Sequence, residues 1–233
     1  LQLYAGLGGA SISYPNRAAA EIDLYGGFRQ NFGKLSLDFG LWYYWYPGGQ
    51  EFSIWSLQGP LPNGNFAKGD FSFWEFYARA NYAVTDSFGV GGFLYCSPDV
   101  LRTGADGLFI GGNAKYTFAA FANGVQPYVS GEVGYWDLGT SDAFYAVPAF
   151  PAGIPYKSYT TWSLGVGWTY KVFTLDLRYT DTDLNKGDCN AFTGDHTATP
   201  TFSVTPINPG GFGSSWRGAR FTARLSADLT LNA

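Results

Sequence analysis

The chain has 233 residues, of which 46% are hydrophobic and only 14% charged, with a formal net charge of −4. An average soluble domain carries about 25% charged residues; the low charge and the absence of a Lys/Arg cluster argue against nucleic acid as a partner. No run reaches the ~18 consecutive apolar residues of a membrane helix. With no signal peptide and no Met, the expectation is one domain over residues 1–233 that is either mature or never exported, its native start missing.

Along the chain, apolar residues recur at every second position, the period of a strand with one apolar face. The first such run is "LQLYAGLGG". In "EIDLYGGFRQNF", Glu21, Asp23 and Arg29 oppose Ile22, Leu24, Phe28 and Phe32. "KLSLDFGLWYYWY" sets Lys34, Ser36 and Asp38 against Leu35, Leu37, Phe39, Leu41, Tyr43 and Trp45, while Trp42, Tyr44 and Tyr46 share the polar parity. "WEFYARANYAV" separates Glu75, Tyr77 and Arg79 from Trp74, Phe76 and Tyr82, and "FGVGGFLYC" has Phe88, Val90, Leu94 and Cys96 on its apolar side. "LFIGGNAKYTF" opposes Lys115 to Ile110 and Tyr116, and "YVSGEVGYW" opposes Glu132 to Val133 and Tyr135. "WSLGVGWTY" is apolar on one side, and "FTLDLRYT" divides Asp176 and Arg178 from Leu175, Leu177 and Tyr179. Last, "RFTARLSADLTL" divides Arg220, Arg224 and Asp228 from Phe221, Leu225, Leu229 and Leu231.

A soluble sheet with one buried face alternates in the same way, so alternation leaves the class open. Three further features favour a membrane. The polar face nearly balances Glu21, Asp23, Asp38, Glu75, Glu132, Asp176 and Asp228 against Arg29, Lys34, Arg79, Lys115, Arg178, Arg220 and Arg224, with Gly and Ser between, as a lined interior would. Connections alternate short ("NFGK", "VTDS", "FANG", "YKV") and long, the long ones falling near residues 9–20, 47–70, 97–107, 137–160 and 181–218. Short turns on one side and long loops on the other mark an outer-membrane barrel. Aromatics on the apolar face also gather at strand ends: Tyr43, Trp45, Trp74, Tyr135, Trp162, Tyr179 and Phe221 near the loops, and Phe32, Tyr82, Phe88, Tyr116, Phe118, Trp168, Tyr170 and Phe173 near the turns, like the two girdles of a membrane barrel. The expected fold is all-β, a transmembrane antiparallel up-and-down β-barrel of about ten strands.

The segments "AEIDLYGGFRQNFGKLSLDFGLWYYWYPGG", "PYVSGEVGYW", "YTTWSLGVGW" and "FTLDLRYTDTDL" resemble the proteobacterial TorF porin family, in order and over most of the chain. The resemblance implies an exported outer-membrane barrel of porin type and no particular solute. Members of that family usually begin with a further hairpin carrying a pattern like Y-x-F-R-G, so the resemblance implies a complete barrel of about twelve strands. It also implies missing C-terminal residues, since "LTLNA" lacks a terminal aromatic.

Chemistry-bearing residues are few. His196, the one histidine, has Asp195 beside it and Ser203 nearby, all on one long loop; a nucleophile and base need rigid placement, so a solvated histidine and no enzymatic activity are expected. "DTDLNKGD" offers Asp181, Asp183, Asn185 and Asp188 as alternating oxygen donors for calcium, without the bidentate Glu of a calcium hand. Cys96 and Cys189 both fall on the loop side, where a disulfide is topologically allowed. The interior charges have two readings: pairs that fill the lumen, or a lined path that selects small solutes. The expected function is a narrow passive channel in the Gram-negative outer membrane; the alternative is a non-conducting barrel that binds partners. Trp42, Tyr44 and Tyr46 would narrow the mouth, with "FYAVPAFPAGIPY" covering or entering it. No cofactor is expected; the partners would be lipid, small solutes, and further copies or neighbouring outer-membrane proteins.

Overall fold

The computed structural model describes residues 1–229. Ten strands form one antiparallel sheet: β1 (Gln2–Ala10), β2 (Glu21–Phe32), β3 (Leu35–Trp45), β4 (Phe73–Ala83), β5 (Phe88–Ser97), β6 (Gly107–Thr117), β7 (Gln126–Leu138), β8 (Tyr159–Tyr170), β9 (Phe173–Thr182) and β12 (Arg220–Ala227). Each strand pairs with the next one of the sheet, in the order β1 to β9 and then β12. The long segment before β12 holds a helix, α1 (Lys186–Thr193), and a separate two-stranded ribbon of β10 (Thr199–Pro200) and β11 (Phe212–Gly213). No helix among the described residues is long and apolar enough to cross a membrane.

The tight connections have a backbone cause. Gly33 at φ 59° and Lys171 at φ 53° sit in the two-residue turns after β2 and β8, where a hairpin matched to strand twist needs left-handed residues.

β1 and β12 are the two edges, and the sheet is not closed between them among the described residues. The sheet coils so that one face is concave. The Tyr4 hydroxyl on β1 meets that of Tyr77 on β4, which is possible only on a concave face. At the loop end the edges converge: Ile12–Pro15, after β1, and Trp216, Arg217 and Arg220, before and at the start of β12, line one cavity of about 380 Å³. β12 ends at Ala227, so Asp228 stands beyond the strand, exposed, and Leu231 lies outside the described residues.

The distribution of apolar side chains is inverted relative to a soluble sheet. On the convex face Leu24, Phe28, Phe76, Ile110, Val133, Leu164 and Leu177 are all exposed. The buried apolar core lies instead among the long loops. One cluster joins Ala18, Tyr46, Phe52, Leu61, Ala67 and Phe71; a second joins Val100, Ala105, Leu138, Ile154, Tyr156, Tyr159, Phe192 and Ile207. Phe73 and Leu101 pack against both. Tyr145, Val147, Phe150, Ile154 and Tyr156 carry the "FYAVPAFPAGIPY" segment into the second cluster. Polar groups stitch the loops together: Asn65 Nδ2 donates to Asn190 Oδ1 (2.9 Å), Asn190 Nδ2 to Asn208 Oδ1 (3.1 Å), and Asn208 Nδ2 to the Phe212 carbonyl (2.7 Å). The two clusters rest on Tyr44, Phe73 and Trp136 and cap the concave face at its loop end.

Candidate functional site: the concave face

The cross-strand register decides which side chains share the concave face, because residues directly opposite point the same way. Asp38 faces Arg29 and Arg79, Trp42 faces Tyr25 and Glu75, Tyr95 faces Tyr77 and Phe109, and Phe109 faces Trp136. Asp23, Lys115, Glu132, Asp176, Arg178 and Arg224 have the same parity.

Towards the turn end the charges are satisfied. Asp38, 4% exposed, accepts from Tyr4 OH (2.5 Å) and Arg29 Nη2 (2.7 Å). Asp176 accepts from Tyr128 OH (2.7 Å) and Arg178 Nε (3.1 Å), and Arg178 also donates to Ser163 Oγ and Ser130 Oγ. Lys115 Nζ lies 3.9 Å from the centroid of the Tyr128 ring.

Nearer the loop end the pattern changes. Asp38 spends its oxygens on Tyr4 and Arg29, so Arg79 leans over the rings of Tyr77 (4.7 Å) and Tyr95 (5.1 Å) instead. Its Nε, Asp23 Oδ1 and Trp42 Nε1 are buried without a hydrogen-bond partner. Glu75, 7% exposed, and Glu132 lie outside ion-pairing distance of any Arg or Lys among the described residues. Around them the aromatics stack: Tyr25 on Trp42 (centroids 4.5 Å), Tyr44 on Phe73 (4.7 Å) and Phe109 on Trp136 (4.8 Å). Two cavities open here, about 240 Å³ between Tyr44, Glu75, Tyr95, Phe109, Glu132 and Trp136, and about 270 Å³ beside Arg79, Asn113 and Glu132.

The remaining residues singled out in the sequence are dispersed. Glu21, at the start of β2, accepts from Tyr46 OH (2.8 Å), and Tyr46 stacks on Tyr14 inside the loop cluster. Burial, reinforced by Tyr14 and Glu21, pushes the Tyr46 hydroxyl well above the usual tyrosine value. Trp42 and Tyr44 lie on the concave face, so of the three expected mouth aromatics two line it and one holds the cap. Arg220 is exposed at the loop end and donates to the Ser215 carbonyl (3.0 Å).

The disulfide needs correction, and two weaker candidates are not brought together. Cys96 and Cys189 are both free: Cys96 is opposite the outward-facing Phe76, whereas Cys189 is 2% exposed within α1. The calcium donors are engaged separately. Asp181 accepts from Tyr179 OH, Asp183 from the Thr160 N–H, and Asn185 caps α1 by accepting from the Asp188 N–H; no metal-holding group of acidic, His and Cys residues occurs among the described residues. The His196 loop forms no triad either. Asp195 accepts from Ser214 Oγ and Thr197 Oγ1, and Ser203 pairs with Thr201. His196 Nε2 instead reaches Ser13 Oγ at 3.4 Å, and its Nδ1 has no orienting partner.

The aromatic wall of Tyr25, Tyr77, Phe93, Tyr95, Phe109 and Trp136 was not singled out as a set from the sequence. Shared parity with Glu75 and Glu132 was the signal that could have found it.

No curated protein and no solved structure matches the chain. A family model does match, over residues 2–205, covering all of the sheet except β12. The chain therefore belongs to the family described as "Bacterial protein of unknown function (Gcw_chp)".

Proposed function

We propose that the chain forms a β-barrel in the outer membrane of a Gram-negative bacterium and that its concave face is the wall of a narrow, passive path for small solutes. The inversion of the sheet carries this reading. The convex face exposes a continuous set of Leu, Val, Ile and Phe, a surface far beyond what water tolerates but suited to hydrocarbon. Hydrocarbon also demands that each strand edge be paired, and the convergence of the loop ends after β1 and before β12 favours closure. The resemblance of the same strand segments to the TorF porin family points the same way.

Within the wall, Arg79 Nε is buried without a hydrogen-bond partner beside the cavity of about 270 Å³, which supports a wetted interior over one filled by salt bridges. Diffusion through such a path needs no cofactor or energy source. A second reading, a non-conducting barrel that holds partners, is favoured by the packed loop clusters over the concave face. Single-channel recording in a planar bilayer, with the folded full-length protein, separates the two. Steady unit conductance in KCl is expected; silence from protein with native heat-resistant migration would overturn the channel reading.

A further inference from the structure

We infer that the cavity beneath the loop cap is a binding site for a small organic cation of the alkylammonium class. This rests on reading the concave face as a solute path, and it names what the path retains. Five aromatic rings and two carboxylates, Glu75 and Glu132, converge on about 240 Å³. Glu75 is more than nine-tenths buried and lines that space with no ion-pair partner among the described residues. A buried carboxylate stays ionised only when paired or strongly hydrogen-bonded and otherwise keeps its proton, so a cation in this space is what would hold Glu75 charged. The nearest cation, Arg79, is turned towards Tyr77 and Tyr95 and borders the adjoining cavity instead.

The wall around the carboxylates selects among the counterions that could complete the site. Calcium and magnesium take six or more oxygen ligands, and no metal-holding group of His, Cys, Asp and Glu occurs among the described residues. Aromatic faces attract a cation that sheds its water, and do so best when the site is desolvated. Trp136 stacked on Phe109, with Tyr95 and Tyr44 around them, offers such faces, and apolar walls for an alkyl tail. A neutral sugar could stack on the same rings but would make no use of the two carboxylates as ion-pair partners. Glu132 lines both cavities, so an ammonium released from Glu75 meets a second carboxylate on its way inward.

The test uses n-butylammonium chloride, with 1-butanol and D-glucose as neutral comparators, on the full-length protein. Butylammonium is expected to interrupt the KCl current in a concentration-dependent manner. Glu75→Gln with Glu132→Gln is expected to raise the half-blocking concentration at least tenfold, each protein being referred to its own unblocked KCl current, and Trp136→Leu to raise it severalfold. Equal block by 1-butanol, stronger block by glucose, or block unchanged in the double variant would overturn the site. Tryptophan fluorescence of the detergent-solubilised protein, titrated with butylammonium, gives a readout independent of conduction. Saturable quenching lost in the double variant, without any conductance, would leave the site standing and remove the channel; conductance without block or quenching would do the reverse.

Discussion

The Phe109 ring on β6 lies flat against the backbone of Gly134 on β7: a Cβ added at Gly134 would stand 2.3 Å from Cε2 of that ring. Gly40 gives the same clearance to Tyr77, with a Cβ 2.3 Å from its hydroxyl. The aromatic wall is therefore set by glycines on the neighbouring strands. Gly134→Val is expected to destabilise the protein by about 1–3 kcal/mol through overpacking and to displace Phe109 from the cavity. Gly131→Ala, where a Cβ meets nothing closer than 3.6 Å, should be close to neutral. Thermal unfolding in detergent compares the two.

Asp38 holds β1, β2 and β3 together through Tyr4 and Arg29. Removing the buried acceptor by Asp38→Ala strands two donors and should cost on the order of 2 kcal/mol. Arg29→Ala should cost roughly 1 kcal/mol or less, because solvent already screens an arginine side chain that is 43% exposed. Equilibrium unfolding by urea in lipid vesicles would rank the pair; equal losses would mean that Asp38 acts through Arg29 alone.

The loop cap turns on Asp195, 1% exposed, which accepts from Ser214 Oγ (2.7 Å), Thr197 N (2.7 Å) and Thr197 Oγ1 (2.6 Å). Its backbone carbonyl also accepts from Asn63 and Asn65 of a distant loop. Asp195→Ala leaves the Ser214 hydroxyl and the Thr197 hydroxyl and N–H unmatched, at about 1–3 kcal/mol, and the loss falls on the cap rather than the sheet. Limited proteolysis should then cut faster within residues 183–219, while the strands stay protected.

Acid should loosen the cap at Asp70. Although burial opposes ionisation, the Ser72 hydroxyl and N–H and the Arg102 guanidinium 2.5 Å away hold this carboxyl below its ordinary value of 3.8. A depressed folded-state pKa contributes stability that is present above 3.8 and lost as pH falls through the lower folded value. Both side chains are 53% exposed, so the effect is small, within the ~0.2–1 kcal/mol of a surface pair. Between pH 5 and pH 3, roughly the range around the unfolded pKa, the native protein should lose slightly more melting temperature than Asp70→Asn.

Free thiols at Cys96 and Cys189 make a simple control. A reducing agent should leave the melting temperature unchanged, since no covalent loop closure contributes. A fall of several degrees would contradict the separation of the two side chains.

The strands were legible in the sequence because each has one face free of charge. The run from Leu35 to Trp45 could take no other period, and its neighbours follow the same rule. The cap was not legible. Asn185 as N-cap, Asp188 three positions on and Gly194 at the left-handed terminus are a readable helix signature for α1, yet it sits in a segment that otherwise looks like an unpatterned loop. β8 likewise begins at Tyr159, before the expected Trp162, because Tyr159 takes its burial from the cap rather than from alternation. On the concave face the charges were visible one by one. Asp38 has Arg29 and Arg79 directly opposite on its two neighbouring strands and pairs with Arg29, and no local pattern encodes that choice.

The amide bridges from Asn65 to Asn190 and from Asn63 to Asp195 join positions 125 and 132 residues apart. Contacts of such sequence separation form late, since the intervening chain must be ordered first. The cap can thus assemble only after the strands between Asn65 and Asn190 have found their register. A half-inserted or mispaired sheet would carry five loose, protease-sensitive loops, so resistance of those loops to digestion is a timer for the completion of assembly.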